Sequence, residues 1–478
     1  MRTFLRLLLI VCAFFPMSSG LLAQNAPPAL FLPAPAQTLK PIDDRTIRAT
    51  KAVTVNWNAL QSFDPVLGST NLSMQTLDGK TILLLISRVE RRSDRQYTLF
   101  GNIVGEPTSL VLLTVYENAL SAVISLPGKF KYTLRLVSKG NYVLAELDDS
   151  KFPPCGVKPD PHLPIPSPPA SAQIGVTATA EIDILIVYTF IARLAMGGVD
   201  QAKAICQQAV DATNVAYLNS GVDARMRLVR TEEFNYDEVG TYTEHLNRLI
   251  STNDGVMDII HDWRNFWGAD LVSLFVNDGS SGGLAPIMNV NNTSFASQGF
   301  SVVNWGAAVG NLTLAHETGH NMGCGHANGD ANAGDGSPAT GLFSYSRGWR
   351  FTGTDNTPYR TVMAYSPGTR VGYFSNPSVS FAGRATGVAN SADNALTLRQ
   401  TVGTASLFRT PLNDIYVDFG AANGGDGTFS RPCNRIEDGQ ARVRVGGNLW
   451  LRGTSPITHP FLLKPMFLRN YNGDALVR

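Results

Sequence analysis

The sequence has little of what would assign it to a specialised class of protein. Its 39 basic and 38 acidic residues leave a formal charge of +1, so no strong field exists to attract nucleic acid. Charged residues make up 16% and hydrophobic residues 44%, a balance typical of neither a disordered chain nor a membrane-embedded one. Five cysteines in 478 residues are too few for a disulfide-based scaffold. A chain of this length is expected to fold around more than one core.

Long apolar runs are also missing, because none reaches the ~20 residues that a membrane-spanning helix needs. An apolar run at residues 7–15 follows Arg2 and Arg6 and precedes small residues that end near Ala23. This order predicts a secretory signal peptide over residues 1–23. A membrane anchor is the alternative, but the run is short for one. We therefore expect a secreted protein with no stable membrane insertion.

Two changes of pattern divide the remaining chain. Residues 53–147 alternate apolar and polar positions between turns, which predicts a β-rich domain over residues 24–150. Eight prolines then crowd into residues 152–169 and predict an irregular, protease-accessible linker over residues 151–178.

Strand-like and helix-like segments alternate after the linker, which predicts an α/β domain with a mostly parallel sheet over residues 179–410. Expected strands lie at 182–187, 224–230, 271–276, 282–285 and 300–304, and expected helices at 199–217, 242–266 and 392–408. Residues 411–478 are glycine-rich with no clear helix and form a short β-rich C-terminal segment. Its strand-like stretches resemble the opening turns of a parallel β-helix.

Three of the seven histidines lie close together in the α/β region. His316 and His320 are one helical turn apart, so both imidazoles share one helix face. Gly323 can adopt a left-handed conformation that turns the chain and lets His326 approach the same ion. Three neutral histidines leave one open position on tetrahedral zinc, as a catalytic site requires. Glu317 is then placed to take a proton from the zinc-bound water and pass it to the leaving amine.

Other interpretations of these residues exist. Isolated histidines are more often ordinary core or surface residues than ligands. A secreted binding or adhesion protein with a vestigial protease domain is the alternative function, and the intact Glu317 argues against it. A zinc hydrolase acting on something other than peptides is not excluded by the ligands.

The segment from His316 to His326 reads HETGHNMGCGH and matches the metzincin pattern HExxHxxGxxH at every fixed position. The chain thus resembles the metzincin zinc peptidases, and residues 180–409 are similar to bacterial reprolysin-like proteases, the peptidyl-Asp metalloendopeptidases in particular. The resemblance implies a zinc-dependent endopeptidase with protein or peptide substrates. It also implies a five-stranded twisted sheet with helices above a cleft and a smaller irregular subdomain below.

The resemblance implies roles for three residues downstream. Met363, in the sequence TVMAY, corresponds to the methionine that a tight turn holds beneath the zinc in metzincins. Tyr365 matches a tyrosine that binds zinc or stabilises the oxyanion in some branches. Arg370 lies in the segment that lines the pocket for the residue after the scissile bond, where a guanidinium would select Asp, with Glu second. The alternative is a surface arginine, or one paired with a carboxylate such as Asp393.

The β-rich domain resembles the region that precedes such catalytic domains, which implies an inhibitory propeptide. Cys155 stands at its end, and a thiolate there would fill the open position on zinc. A cysteine that is unpaired or disulfide-bonded is equally compatible. Cys324, between two of the histidines, is expected to pack in the core or to form a disulfide.

Overall fold

The computed structural model describes residues 26–34, 44–61, 70–138, 140–158, 180–330, 341–409, 412–456, 462 and 466–477. The predicted signal peptide and the predicted linker beyond residue 158 lie outside these residues. None of the helices in the described ranges combines the length and the apolar character needed to cross a bilayer.

The N-terminal part is the β domain that its alternating pattern predicts. Its nine strands are β1 Phe31–Pro33, β2 Ile47–Val55, β3 Thr70–Gln75, β4 Thr81–Ser93, β5 Gln96–Ile103, β6 Glu106–Tyr116, β7 Ala119–Leu126, β8 Phe130–Ser138 and β9 Asn141–Leu147. They form one antiparallel sheet in the order β1-β2-β9-β8-β7-β6-β5-β4-β3 around an apolar core that also packs on helix α1, Trp57–Gln61. A bridge between Ala29 and Ser73 joins its two edges, so the sheet is nearly closed.

Strands and helices alternate in the central part. Its main strands are β10 Gly156–Lys158, β11 Ala180–Thr189, β12 Ala224–Phe234, β13 Leu271–Val276, β14 Gly283–Pro286 and β15 Phe300–Asn304. Its helices are α2 Phe190–Met196, α3 Val199–Asn219, α4 Tyr242–Ile250, α5 Ile259–Trp267, α6 Trp305–Ala308, α7 Thr313–His320 and α8 Asn394–Ala405, with a 3-10 helix at Thr293–Gln298. The sheet order is β10-β14-β15-β13-β11-β12, and only the β14–β15 pair is antiparallel.

The continuous apolar run of β11 is explained by burial on both faces of the sheet. Ile184 and Ile186 belong to the core shared with α3, α7 and α8, whereas Leu185 and Val187 belong to the core shared with α4 and α5. Successive side chains of a strand point to opposite faces, so one short run supplies both cores. Helix α7 lies between α3 on one side and strands β14 and β15 on the other.

Three expectations about these elements are wrong. The sheet has six strands rather than five, because Gly156–Lys158, within the supposedly irregular linker, pairs with the exposed edge of β14. The single helix expected at 242–266 is two helices, interrupted where the Asp258 carboxylate accepts hydrogen bonds from the backbone of Asp254 and Gly255. The C-terminal segment contains a helix, α9 Ile436–Arg442, where no helix was expected.

The remaining elements are short. Between α7 and α8 come the short strands β16 Arg350–Thr352, β17 Pro358–Arg360, β18 Thr369–Arg370, β19 Ser380–Phe381 and β20 Arg384–Ala385. The C-terminal segment holds a parallel three-stranded sheet of β21 Leu412–Asp418, β22 Val443–Thr454 and β23 Phe467–Leu476.

The N-terminal sheet packs directly on α3 through strands β6 and β7. The Gln208 side-chain amide donates to the carbonyl oxygens of Leu112 and Ser121, both at 2.9 Å. The buried Asp211 carboxylate accepts from the Thr98 hydroxyl at 2.6 Å and pairs with Arg92 at 2.6 Å. Buried polar side chains of α3 thus find their hydrogen-bond partners in the N-terminal sheet, which makes the contact between the two specific.

Candidate metal centre and active-site cleft

Helix α7 carries two of the three predicted metal ligands. His316 and His320 project from one face, and their ring centroids are 4.7 Å apart. The helix ends at His320, and Gly323, with φ of +85°, turns the chain so that His326 returns to the same point. The three Nε2 atoms lie 3.0 to 3.2 Å from one another, and all three side chains are fully buried. The structure therefore brings the three histidines together.

Hydrogen bonds fix the orientation of two of these rings. Nδ1 of His316 lies 2.8 Å from the carbonyl oxygen of Val362, and Nδ1 of His320 lies 2.8 Å from that of Cys324. A carbonyl accepts only, so each Nδ1 carries the proton and each Nε2 presents a lone pair. Burial lowers the pKa of His320 to about 4 and the pKa values of His316 and His326 well below the ordinary value. Converging lone pairs on neutral imidazoles fit a zinc ion.

Met363 lies directly beneath α7. Its side chain is fully buried, and its sulfur would lie 2.9 Å from a Cβ placed on Gly319, the residue before the second histidine. The preceding residue, Val362, accepts the His316 hydrogen bond described above. The turn thus supports the helix from below and orients one imidazole. Only glycine at position 319 permits this close approach.

Glu317 faces the edge strand β14. Neither of its carboxylate oxygens has a hydrogen-bond partner among the described residues, and its side chain is fully buried. Burial raises the pKa of Glu317 well above its usual range. A Cβ on Gly283 would lie 2.5 Å from Oε1 of Glu317, so the strand backbone approaches the carboxylate closely.

The ring of Tyr365 packs against the third histidine, His326, with ring centroids 4.3 Å apart and the two planes tilted by 49°. Its peptide groups are held by an ion pair between Asp330 and Arg350. The Tyr365 N–H donates to Asp330 Oδ2 at 2.9 Å, and Arg350 Nε donates to the Tyr365 carbonyl oxygen at 2.9 Å. Arg350 Nη2 pairs with the other oxygen of Asp330, which is almost fully buried. The tyrosine is therefore fixed at both of its peptide groups.

Cys155 lies inside the same site. Its sulfur, a nitrogen of His316 and a carboxylate oxygen of Glu317 all lie within 4.8 Å of one another. The Tyr365 hydroxyl donates to the Cys155 carbonyl oxygen, and the next residues form β10 along β14. Burial and the Glu317 carboxylate raise the pKa of the Cys155 thiol well above its ordinary value. The chain on either side of Cys155 therefore covers the cleft.

The four cysteines among the described residues, Cys155, Cys206, Cys324 and Cys433, are all buried free thiols. The disulfide interpretations of Cys155 and Cys324 are therefore wrong. The Cys324 sulfur lies 3.8 Å from the carbonyl oxygen of Asn394, within the core, as the packing interpretation expects.

Arg370 is neither on the surface nor paired with Asp393. It is 4% exposed and donates from Nη1 to the carbonyl oxygen of Asn311 at 2.8 Å and from Nη2 to that of Ala364 at 3.0 Å. Asp393 instead caps helix α8. Arg370 thus bridges the chain before α7 and the turn that holds Met363.

Sequence reasoning missed the Asp330–Arg350 pair and the closeness of Gly283 to Glu317. Both depend on contacts between segments far apart in the chain, and the Asp330–Arg350 pair has no local signal. The two glycines at 282 and 283 do carry a signal for the second contact, because glycine within an expected strand is a sign of close backbone approach.

Comparison with known proteins agrees with this site. Residues 178–375 match the sequence profile Reprolysin_5 of metallo-peptidase family M12. A peptidyl-Asp metalloendopeptidase of Stenotrophomonas maltophilia strain R551-3 is 35% identical over 327 residues, which are 66% of this chain and 75% of the relative. Another, of Xanthomonas campestris pv. campestris, is 32% identical over 353 residues, 70% of this chain and 81% of the relative.

A solved structure, metalloproteinase-II from Bacteroides fragilis, shares 12% identity and covers 60% of this chain and 89% of that one. The TM-score of the superposition is 0.34.

The profile and the relatives define the class of the protein as a zinc-dependent peptidase. The chain belongs to metallo-peptidase family M12, within the group represented by the peptidyl-Asp metalloendopeptidases.

Proposed function

We propose that the protein is a secreted zinc endopeptidase in which Glu317 activates the attacking water, and that it cleaves before Asp. The convergence of three imidazole lone pairs beside an unpartnered Glu317 carboxylate carries this proposal. His316, His320 and His326 would hold the ion. When bound, zinc polarises the scissile carbonyl and lowers the pKa of a coordinated water, so that attack on an amide proceeds near neutral pH.

The protein's own groups would handle the proton and the developing charge. Glu317 takes a proton from the attacking water and later delivers it to the leaving amine. Burial raises its pKa, which makes the carboxylate a stronger proton acceptor than a solvent-exposed glutamate. Tyr365, fixed through its peptide groups, would donate its hydroxyl hydrogen bond to the oxygen that becomes negative.

Strand β14 supports a peptide substrate in particular. It pairs with β15 on one side, and on its other side only the short β10 covers it. An extended peptide could take the place of β10 by adding to this edge of the sheet beside Glu317. A zinc hydrolase for other substrates would have no use for such an edge.

The same geometry supports a latent precursor. The Cys155 sulfur lies within 4.8 Å of ligand atoms of His316 and Glu317, which supports a thiolate bound at the open coordination position, and β10 pairs with the edge strand that a substrate would need. Cleavage in the predicted linker would release both contacts, after export directed by the predicted signal peptide. We expect the buried contacts on α3 to keep the N-terminal domain in place until then.

Digestion of casein by linker-cleaved protein, with and without a chelator, tests the activity. We expect hydrolysis that stops with the chelator and returns when zinc is added. His326→Ala should lose zinc affinity, since two ligands remain. Absence of hydrolysis by a zinc-loaded, cleaved protein would contradict the proposed activity, and an unchanged zinc content in the variant would contradict the ligand assignment.

A further inference from the structure

Two arginines near the metal centre lie side by side in the interior. Arg360 Nη1 and Arg370 Nη2 donate to the same acceptor, the carbonyl oxygen of Ala364, at 2.9 and 3.0 Å. Arg360 Nε also donates to the Gly368 carbonyl oxygen at 2.8 Å. The two residues are 2% and 4% exposed. Two guanidinium groups therefore share one oxygen at a place almost closed to solvent.

This pair lacks a compensating negative charge of its own. The ion pairs formed within the described part of the chain, at up to 4.0 Å, include neither Arg360 nor Arg370. Nε of Arg370 is buried without a hydrogen-bond partner among those residues. Burial lowers the pKa of both arginines. Like charges repel strongly where the dielectric constant is low, so the arrangement favours an anion beside it.

The N-terminal domain brings a carboxylate to this place. Asp149 Oδ1 lies 2.6 Å from Nζ of Lys131, with both side chains mostly buried, and the Asp149 charge raises the pKa of both arginines. Asp149 shares a surface cavity with Gly368 and Thr369, the residues that precede Arg370. Asp149 therefore pairs with Lys131 of its own domain, and its charge also acts on both arginines from beyond the 4.0 Å of an ion pair.

The chain continues from this cluster to the metal centre. Leu147 packs so closely on Gly310 that a Cβ there would lie 2.4 Å from Leu147 Cδ1. Gly310 precedes Asn311, whose carbonyl oxygen accepts from Arg370. Six residues after Asp149, Cys155 reaches His316 and Glu317. The segment from Leu147 to Cys155 thus runs from the arginine pair to the reacting centre.

We propose that Arg360 and Arg370 together bind the carboxylate of an acidic substrate residue, and that Asp149 takes its place while the N-terminal domain is attached. This inference rests on the proposed endopeptidase function and adds Arg360 as a second specificity-determining residue. Charge-assisted hydrogen bonds from two guanidinium groups hold one carboxylate more strongly than neutral donors do. A substrate with Asn at that position has the shape of Asp but leaves the two charges uncompensated.

The first test measures kcat/KM of linker-cleaved enzyme on two peptides that differ only in Asp or Asn after the scissile bond. We expect Arg360→Met to lower the Asp-to-Asn ratio at least tenfold while kcat/KM on the Asn peptide changes less than threefold. Arg384→Met, at an exposed position, is the matched control and should leave the ratio unchanged.

Arg360→Lys keeps the charge without the planar fork and should lower the ratio at least threefold. If Arg360→Met is inactive on both peptides, the Arg360→Lys variant tests the role of Arg360 in its place. If the active variant, Arg360→Met or Arg360→Lys, keeps the parent's Asp-to-Asn ratio of kcat/KM, the role of Arg360 is overturned. A parent enzyme that cleaves peptides without preferring Asp also overturns this inference, but it leaves the endopeptidase activity standing.

The second test uses the full-length precursor with an intact linker. Asp149→Asn removes the carboxylate charge that occupies the place of the substrate's acidic residue in the precursor. We therefore expect the residual activity of the precursor on the Asp peptide to rise at least fivefold. Asp148→Asn is the matched control, because Asp148 instead pairs with Arg48 at the surface, and the control should stay latent. Equal activity of the two variants would refute the role of Asp149.

Discussion

Replacement of Gly283 by alanine tests how the edge strand positions Glu317. The added Cβ would lie 2.5 Å from Oε1 of Glu317 and 2.8 Å from both Cδ and Cγ, against an ordinary contact of 3.4 Å or more. Rotation of the carboxylate alone does not relieve three contacts, so the whole side chain must move by about 1 Å, a displacement that costs on the order of 10²-fold in rate. That loss corresponds to ~2.7 kcal/mol of activation free energy.

Gly282 provides a matched control for this change. A Cβ there would meet the Cys155 sulfur at 2.9 Å and the Pro153 carbonyl oxygen at 3.1 Å, both in the segment that covers the cleft, and otherwise only the Thr313 hydroxyl at 3.9 Å. Once that segment has been removed, Gly282→Ala has no close contact. Neither glycine has a positive φ, so alanine fits the backbone at both positions.

The assay is kcat of linker-cleaved enzyme on one peptide, together with zinc content and Tm. We expect Gly283→Ala to lose about 10²-fold in kcat with zinc retained, because the histidines are untouched, and Gly282→Ala to stay within about twofold of the parent. Equal kcat values for the two variants, with both proteins folded and zinc-loaded, would refute the positioning of Glu317 by Gly283.

Three further predictions follow from the site. Tyr365→Phe should lower kcat about 10²-fold. Asp330→Asn should lower kcat in the parent enzyme but change it little in the Tyr365→Phe variant, because Asp330 acts by fixing the tyrosine. If the two losses add in the double variant, this role of Asp330 is contradicted. The uncleaved Cys155→Ser precursor should show measurable peptidase activity. If it is as inactive as the uncleaved parent, the thiol is not the cause of latency, and the N-terminal domain inhibits by covering the cleft. Because folding depresses the pKa of His320 from 6.5 to about 4, its contribution to stability is present above pH 6.5 and is lost as the pH falls towards 4. The Tm of the metal-free parent should therefore fall as the pH is lowered from 6.5 to 4, and the Tm of metal-free His320→Gln should fall less. Equal decreases in Tm for the two proteins would contradict the lowered pKa of His320.

Much of the fold was predictable because its signals are local. The alternation of residues 53–147 identified the N-terminal β domain, and the apolar run of β11 identified a strand buried on both faces. The sequence-based predictions of the fold were wrong where pairing between distant segments decides the structure. Gly156–Lys158 becomes a strand only because β14 offers a free edge, and no residue of the segment itself indicates that partner.

The metal site shows the same division. The spacing of His316 and His320 follows from helix geometry, and Gly323 marks the turn that leads to His326, so the sequence alone predicts these positions. The contact between Arg360 and Arg370 depends on two short strands pairing across the turn that contains Ala364. Arginines are common on protein surfaces, so only the fold could indicate that these two share a buried acceptor.

Substitution of Glu317 by glutamine, with zinc content and peptide turnover measured on the same linker-cleaved sample, tests the central claim most directly. Glutamine keeps the shape and leaves the three histidines in place but cannot carry the proton. The proposed function predicts full zinc content with nearly complete loss of turnover. A zinc-loaded Glu317→Gln enzyme that hydrolyses peptides at nearly the parent rate would contradict it.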